Sequence, residues 1–203
     1  MNKTQVEIEV KFWLADLPGF ILRLQKLGAR LVHARVLEVN LRFDTPDGSL
    51  SRERRVLRLR KDFDVHLTYK GPARVGEAVS IRQEIEFEAS SFENARDFLQ
   101  ALGYQVKVMY EKYRTGYDLD NVFVTLDEMP FGNLTEIEGP DATSIQTAAA
   151  KLGLDWEARS MESYLQLFSH LQQAGIPVRQ LSFEEFQGLS FQAEDVGMHP
   201  ADR

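Results

Sequence analysis

Residues 5–12 read Gln5-Val6-Glu7-Ile8-Glu9-Val10-Lys11-Phe12, with charged and apolar side chains in strict alternation. Neighbouring side chains of a β-strand point to opposite faces, so this pattern predicts a strand with one charged and one apolar face. The same spacing recurs further along the chain in five more groups: Arg58 and Arg60; His66, Thr68 and Lys70; Arg82, Glu84 and Glu86; Lys112 and Arg114; Glu136 and Glu138. The charges are therefore organised by strand.

Two arrangements would explain such strands. For any one of them, the ordinary explanation is the solvated outer face of an antiparallel sheet. Solvated faces usually mix short polar residues with both signs of charge, whereas acidic and basic residues are grouped by strand in this chain. The alternative is a sheet closed into a barrel with its charged face inward. Burying these charges costs several kcal/mol per ion unless opposite charges, hydrogen bonds or bound ions offset it, so a charged lumen implies a charged ligand.

Turn and capping signals divide the chain into eight predicted strands and four predicted helices. The strands are expected at residues 5–12, 29–43, 54–61, 64–70, 81–88, 104–118, 122–127 and 133–138. The helices are expected from Pro18 to about Gly28 with Asp16 as the cap, from Ser90 or Ser91 to about Leu102, and near 143–152 and 160–173. The last two helices are expected to cover one outer face of a barrel.

The first and second halves of this plan repeat each other. In each half a strand is followed by a helix that ends in Leu-Gly, then by a long strand and a hairpin. Leu27-Gly28-Ala29 and Leu102-Gly103-Tyr104 mark the equivalent joints. The repetition predicts eight antiparallel strands in an α+β fold.

Composition restricts the class of protein. The 203 residues are 43% hydrophobic and 10% aromatic, which excludes a disordered chain. A net charge of −7 argues against a general nucleic-acid surface, although a polyanion could bind inside a barrel. There is no cysteine and no apolar run long enough to span a membrane, and Met1–Thr4 leads into a strand instead of a signal peptide. We therefore expect the protein in the cytoplasm.

The motifs, taken in order, resemble one family. They are Glu7-x-Glu9-x-Lys11, Phe43-Asp44-Thr45-Pro46, Leu57-Arg58-Leu59-Arg60, Tyr69-Lys70-Gly71-Pro72, Arg82-x-Glu84-x-Glu86, Lys112-x-Arg114, Leu126-Asp127-Glu128 and Glu136-x-Glu138. Any single motif is weak, but the ordered set over residues 4–170 is similar to the CYTH superfamily. These triphosphate tunnel enzymes include class IV adenylyl cyclases and thiamine triphosphatases. The resemblance assigns residues 1–173 to a tunnel domain and leaves 174–203 as a tail.

The resemblance implies an eight-stranded antiparallel closed β-barrel with helices packed outside and a lumen that binds a triphosphate with Mg²⁺ or Mn²⁺. The implied metal ligands are carboxylates, which suit hard cations: Glu7, Glu9, Asp127, Glu136 and Glu138. The implied triphosphate ligands are basic: Lys11, Arg58, Arg60, Lys70, Arg82, Lys112 and Arg114. Lys11 and Lys70 are also the catalytic candidates. Glu84 and Glu86 could orient the bases or join the metal shell.

The reaction and the partners stay open at this level. Hydrolysis would release orthophosphate, whereas cyclisation of ATP would release pyrophosphate, and a non-catalytic polyphosphate-binding module would need only the basic face. Gln5-Val6 stand where class IV cyclases resemble one another in a His-Phe pair, which favours hydrolysis. The expected partner is a small triphosphate, with no nucleic acid and no membrane, and the resemblance makes a homodimer plausible. The tail carries Leu181, Phe183, Phe186, Leu189 and Phe191, which would pack on the barrel or on a partner.

Overall fold

Eight antiparallel strands close into a barrel. The structure, a computed structural model, describes residues 5–202; the expectation for Met1–Thr4 lies outside the described residues. The strands are β1 (Gln5–Leu14), β2 (Arg30–Asp44), β3 (Val56–Lys61), β4 (Val65–Lys70), β5 (Ser80–Glu88), β6 (Gln105–Leu119), β7 (Val122–Met129) and β8 (Gly132–Glu138). Their order around the barrel is β1-β5-β4-β3-β2-β6-β7-β8, and β8 pairs with β1. The predicted closed antiparallel barrel is confirmed.

Within residues 5–202, five α-helices connect or cover the strands: α1 (Leu17–Lys26), α2 (Ser49–Arg52), α3 (Phe92–Ala101), α4 (Ala142–Lys151) and α5 (Tyr164–Gln173). The predicted caps are present, since the Asp16 carboxylate accepts a hydrogen bond from the backbone of Gly19 and the Ser91 hydroxyl accepts one from Asn94. The helical turn α2 was not predicted. It forms because the Asp44 carboxylate accepts hydrogen bonds from the backbone N–H groups of Leu50 and Ser51.

The internal repeat is confirmed by the topology. Exchanging β1–β4 with β5–β8 leaves every strand pairing unchanged, and β1·β5 and β2·β6 each join equivalent strands of the two halves. Gly28 and Gly103 follow the equivalent helices α1 and α3 with φ angles of 75° and 92°. Glycine adopts this left-handed conformation without steric cost, so both Leu-Gly joints end a helix in the same way.

Three apolar clusters hold the molecule together. The first lies outside the barrel, where α1 and α4 pack on outward residues of β1, β7 and β8 such as Phe12 and Ile137. The second packs α3 against Phe43 and Leu59. The third closes one end of the barrel, because Trp13 shares the inward face of Lys11 and packs against α5.

The position of α5 corrects one prediction. The helix was expected on an outer face beside α4, but it lies across the barrel end and buries Leu167, Phe168 and Leu171 against the inward residues Trp13 and Leu134. The apolar stripe in the sequence of α5 predicts which face of the helix is buried. It does not predict the surface that covers this face, because that surface exists only when the barrel is closed. We call this end of the barrel the closed end.

The C-terminal tail packs on its own barrel at the closed end. Leu181, Phe186, Val196 and Met198 are buried in the same cluster as Trp13. The backbone also connects the tail to β6, since Leu181 N donates to Met109 O at 3.1 Å and Glu111 N donates to Leu181 O at 2.9 Å. Within residues 5–202, no helix is long and apolar enough to cross a membrane.

Candidate functional site

The barrel encloses a charged cavity of about 290 Å³ whose wall includes residues from all eight strands. Thirteen of the fourteen predicted site residues line it, and Asp127 is the exception. The lining set is Glu7, Glu9, Lys11, Arg58, Arg60, Lys70, Arg82, Glu84, Glu86, Lys112, Arg114, Glu136 and Glu138. Period-two spacing brings them together because every second side chain of a barrel strand points inward.

Lys11 lies between two acidic residues of the wall. Its Nζ is 2.8 Å from Glu9 Oε1 and 3.0 Å from Glu136 Oε1, and its side chain is almost completely buried. Burial opposes the charged ammonium, but the carboxylates of Glu136 and Glu9 outweigh it and raise the pKa of Lys11. Lys11 is therefore a fixed positive charge at neutral pH.

Glu7 is held by bases from two other strands. Lys70 donates a hydrogen bond to Glu7 Oε1, and Arg82 Nε donates to Glu7 Oε2 at 3.1 Å. Burial alone would raise the pKa of Glu7, yet Lys70 and Arg82 lower it to about 2. The Lys70 ammonium is also 3.5 Å from Glu84, so the base connects two carboxylates.

Asp127 lies behind the cavity wall. It is completely buried and accepts hydrogen bonds from Arg114 Nε at 2.7 Å, Arg114 Nη2 at 2.5 Å and Lys112 Nζ at 3.2 Å. The hydroxyl of Tyr164 donates to it as well, so α5 is connected to the same carboxylate. The acceptor positions of Asp127 are thus occupied by protein donors.

Glu86 contacts both bases of β3. It lies 3.5 Å from Arg58 Nη2 and 3.4 Å from Arg60 Nη2, and the Thr68 hydroxyl donates to it at 2.6 Å. Burial would raise the pKa of Glu86, but Arg60, the Thr68 hydroxyl and Arg58 together lower it. Its contacts are those expected of an orienting group.

Glu138 differs from the other acids of the wall. It stands directly opposite Glu9 across the β1·β8 pair, and like charges in that position repel. Among the described residues no Lys, Arg or His nitrogen lies within 4.0 Å of its carboxylate. Burial, together with the charges of Glu7, Glu9 and Glu84, raises the pKa of Glu138 to about 7.

The acidic residues of the cavity wall suit a divalent cation that takes its remaining ligands from water and from a bound phosphate compound. Within residues 5–202, no three acidic or histidine side chains form a complete ligand shell by themselves. Mg²⁺ usually takes one or two carboxylates and completes its octahedron with water and phosphate oxygens. The opposed carboxylates Glu9 and Glu138, the latter without a base, are of that type.

Sequence reasoning missed a fourth inward triplet, which lies on β2. Glu38, Asn40 and Arg42 have the same period-two spacing as the other groups, so the signal was in the sequence. Glu38 and Asn40 are completely buried, and Asn40 Nδ2 donates to Glu38 Oε1 at 2.9 Å. Glu38 Oε1 also lies 3.5 Å from Lys112 Nζ and forms an ion pair with that base. Arg42 reaches the cavity itself.

Tyr164 is a second residue that sequence reasoning did not place in the site. Its ring lies under two ammonium groups, 4.7 Å from Lys112 Nζ and 5.4 Å from Lys11 Nζ. Burial and the nearby charge of Asp127 raise its pKa far above 10, so the hydroxyl keeps its proton. No spacing rule points to Tyr164, because it comes from the helix at the closed end.

Comparisons with known proteins agree with this geometry. The sequence model of the CYTH domain matches residues 5–166, which is most of the chain. A search of curated proteins gave no significant match.

Solved structures share the fold. A candidate adenylate cyclase from Vibrio parahaemolyticus is 22% identical with a TM-score of 0.72, over 82% of this chain and 99% of that one. The PH1012 protein from Pyrococcus horikoshii OT3 is 26% identical with a TM-score of 0.68, over 79% of this chain and 98% of that one. A candidate adenylyl cyclase from Hippeastrum, described as having a dominant triphosphatase activity, is 21% identical with a TM-score of 0.59, over 80% of this chain and 95% of that one.

Proposed function

The chain belongs to the CYTH family, and we propose that it is a divalent-metal-dependent triphosphatase that binds a triphosphate in the barrel and releases orthophosphate. One observation carries the proposal. Among residues 5–202, every acidic or basic side chain on the cavity wall has an oppositely charged partner within 4.0 Å, except one base, Arg42, and one acid, Glu138. A metal–triphosphate complex supplies an anion for the base and a cation for the acid.

The bases of the wall would bind the phosphate chain. Arg58, Arg82 and Arg114 offer planar pairs of N–H donors, which match two oxygens of one phosphate group. In the protein alone these donors are held by carboxylates such as Glu7 and Glu136. Phosphate oxygens would share them, so the wall is oriented for the substrate before it arrives.

Glu9 and Glu138 would hold Mg²⁺ or Mn²⁺, with Glu7 and Glu136 next to them. When bound, the metal neutralises charge on the phosphate oxygens and makes water a better nucleophile at neutral pH. We propose for Asp127 a different role from the one implied by the family resemblance. Its contacts support a role as an anchor for Lys112 and Arg114 in place of metal binding.

The protein's own contribution to hydrolysis is positioning and charge. Phosphoryl transfer builds negative charge on oxygens in line with the broken bond, and fixed cations lower the barrier most when they are already in place. Lys11 and Lys70 would supply that charge, because each is buried and held by two carboxylates. Each would donate hydrogen bonds to phosphate oxygens.

Partners and location extend the same proposal. The partner would be a small triphosphate, without nucleic acid or membrane. The protein would act in the cytoplasm, and a homodimer is compatible with the proposal. The Hippeastrum protein, named as a candidate cyclase, has a dominant triphosphatase activity, and at 21% identity it bears on the fold alone. Class IV adenylyl cyclase and a non-catalytic polyphosphate-binding module are the alternatives that an experiment has to separate.

A product assay separates the three. The protein is incubated with tripolyphosphate, ATP or thiamine triphosphate and Mg²⁺ or Mn²⁺, and orthophosphate, pyrophosphate and cyclic AMP are resolved. We expect orthophosphate. Cyclic AMP with pyrophosphate and no orthophosphate would establish the cyclase, and binding without any product would establish the module.

A matched pair of variants tests the site. Glu9→Gln removes a carboxylate of the proposed metal pair, and we expect turnover to fall at least about 100-fold while tripolyphosphate binding stays measurable. Glu128→Gln is the control, because Glu128 points out of the barrel and contacts Arg35 at 2.6 Å. Equal activity of the two variants would remove Glu9 from the metal site.

A further inference from the structure

Arg42 and Arg58 lie directly opposite each other on β2 and β3 and both line the cavity. Two like charges in that position repel each other across the strand pair. Arg58 has an acidic partner, since its Nη2 is 3.5 Å from Glu86 Oε2. Arg42 has no acidic partner within 4.0 Å among the residues that the structure describes, and its buried Nε makes no hydrogen bond.

A partly buried guanidinium without an acidic partner costs stability unless it has a ligand. Burial removes the water that would solvate it, and uncompensated charges inside proteins are rare for that reason. Burial and the repulsion from Arg58 and Arg82 lower the pKa of Arg42 to about 10, so it is still charged at neutral pH. Every other base on the wall is already neutralised in part by a carboxylate. An anion in the cavity would therefore gain most at Arg42.

Arg42 is at the closed end of the barrel. In register it faces Val108 of β6, which packs on the cluster formed by Trp13, α5 and the tail. Tyr110, the next inward residue of β6, is buried in that cluster and also lines the cavity. Glu138 is at the opposite end, because the other end of β8 carries Leu134 of the same cluster.

We propose that Arg42, together with Arg58, binds the terminal phosphate group of the triphosphate at the closed end of the cavity. The substrate then lies with its free phosphate end inward and its organic part, where it has one, toward the end that carries Glu138. The inference rests on the proposed function only in taking a triphosphate as the ligand. It makes Arg42 a substrate-binding residue that recognises an unsubstituted terminal phosphate.

The change in stability caused by Arg42→Gln distinguishes phosphate binding from a structural role, because the two roles predict changes of different sign. If Arg42 serves the fold, removing it destabilises the protein. If it binds phosphate, removing an unpaired charge leaves the ligand-free protein as stable as wild type or more stable, while affinity falls. A charge-assisted hydrogen bond contributes enough for a loss of about 10- to 100-fold in tripolyphosphate affinity. Arg42→Lys, which keeps the charge without the fork of donors, is expected to lose less.

The test uses titration calorimetry with tripolyphosphate in EDTA, and urea unfolding of the same preparations. Arg35→Gln is the matched control, because Arg35 contacts the outward Glu128 and is half-exposed. A second readout compares ATP with an ATP analogue esterified on its terminal phosphate. We expect wild type to prefer ATP at least about 10-fold and Arg42→Gln to lose most of that preference.

The outcomes separate this inference from the proposed function. Unchanged affinity and unchanged preference in Arg42→Gln overturn the inference, even if the protein hydrolyses triphosphates. Weaker binding in Arg42→Gln without loss of stability supports it, even if no substrate is turned over and the proposed function fails. If Arg42→Gln loses both affinity and stability, Arg42→Lys decides between the two roles. Wild-type stability with affinity still below wild type supports phosphate binding, whereas recovery of both to wild-type values overturns it.

Discussion

Replacing Asp127 with asparagine tests whether this carboxylate anchors the bases or holds the metal. The substitution keeps the size of the side chain and removes a charge that Arg114 and Lys112 share. Removing one partner of a buried ion pair costs about 3–5 kcal/mol, because the other charge is left uncompensated. Glu136 and Glu38 still face these bases, so we expect the lower part of that range. For a chain of this size, the melting temperature would fall by about 6–12 °C.

The measurement is urea and thermal unfolding of metal-free protein in EDTA. Tyr164→Phe removes one donor to Asp127 but leaves the charges unchanged, so it should cost less than Asp127→Asn. Asp118→Asn is the surface control, since Asp118 pairs with the exposed Arg30 and should change stability by less than about 0.5 kcal/mol.

A metal ligand would give the opposite pattern. Neutralising an acid of a metal site usually leaves the metal-free protein unchanged or more stable, since it relieves repulsion between ligands. If Asp127→Asn unfolds within about 1 kcal/mol of wild type in EDTA and no longer gains stability from Mn²⁺, the anchoring role is wrong. If it is destabilised in EDTA yet still gains stability from Mn²⁺ with tripolyphosphate, the anchoring role stands.

Three further predictions follow from the structure. The pKa of Glu138 is raised to about 7, so the native protein holds that proton more tightly than the unfolded protein does. The free energy of unfolding of metal-free protein should therefore fall as pH rises from about 4.5 to 7. Urea unfolding in EDTA should show this fall in wild type and not in Glu138→Gln. Leu181→Ala should cost about 2–5 kcal/mol of unfolding free energy, because Leu181 is completely buried in the closed-end cluster; a loss below 1 kcal/mol would mean that the tail is not part of the core. Gly132→Ala should lower the melting temperature more than Gly28→Ala does. A Cβ atom at residue 132 would lie 2.1 Å from the Trp13 ring, whereas a Cβ atom at residue 28 would have no heavy atom within 4 Å. Equal melting temperatures of the two variants would refute this packing.

The faces of the strands could be predicted from sequence, because side-chain direction follows from period two alone. Glu7, Glu9 and Lys11 had to share a face, and closure of the sheet turned that face into a lumen. The repeat of the Leu-Gly joints likewise predicted two equivalent halves. Neither argument needed a contact between distant residues.

Whether an inward side chain reaches the cavity or stays behind its wall could not be predicted in the same way. Asp127 has the inward direction expected of it, yet the longer side chains of Lys112 and Arg114 lie between it and the cavity. The placement of α5 across the barrel end depends on Trp13 and Leu134 being inward and apolar, which matters only after the barrel has closed. Both outcomes are set by three-dimensional neighbours that spacing does not reveal.

The two charges of the cavity wall without a partner give a reason for a lumen whose charged groups cost free energy to bury. A wall in which every acid met a base would be neutral, and a triphosphate would have to break ion pairs to enter. In the part of the chain that the structure describes, Arg42 at the closed end and Glu138 at the other end have no such partners, so each can accept a ligand of opposite charge without breaking an ion pair. A metal–triphosphate complex carries negative and positive charge in one molecule. On the proposed function, it would therefore be favoured over a metal-free anion at the Glu138 end and over a lone cation at the Arg42 end, and the two charges would set the direction of the substrate.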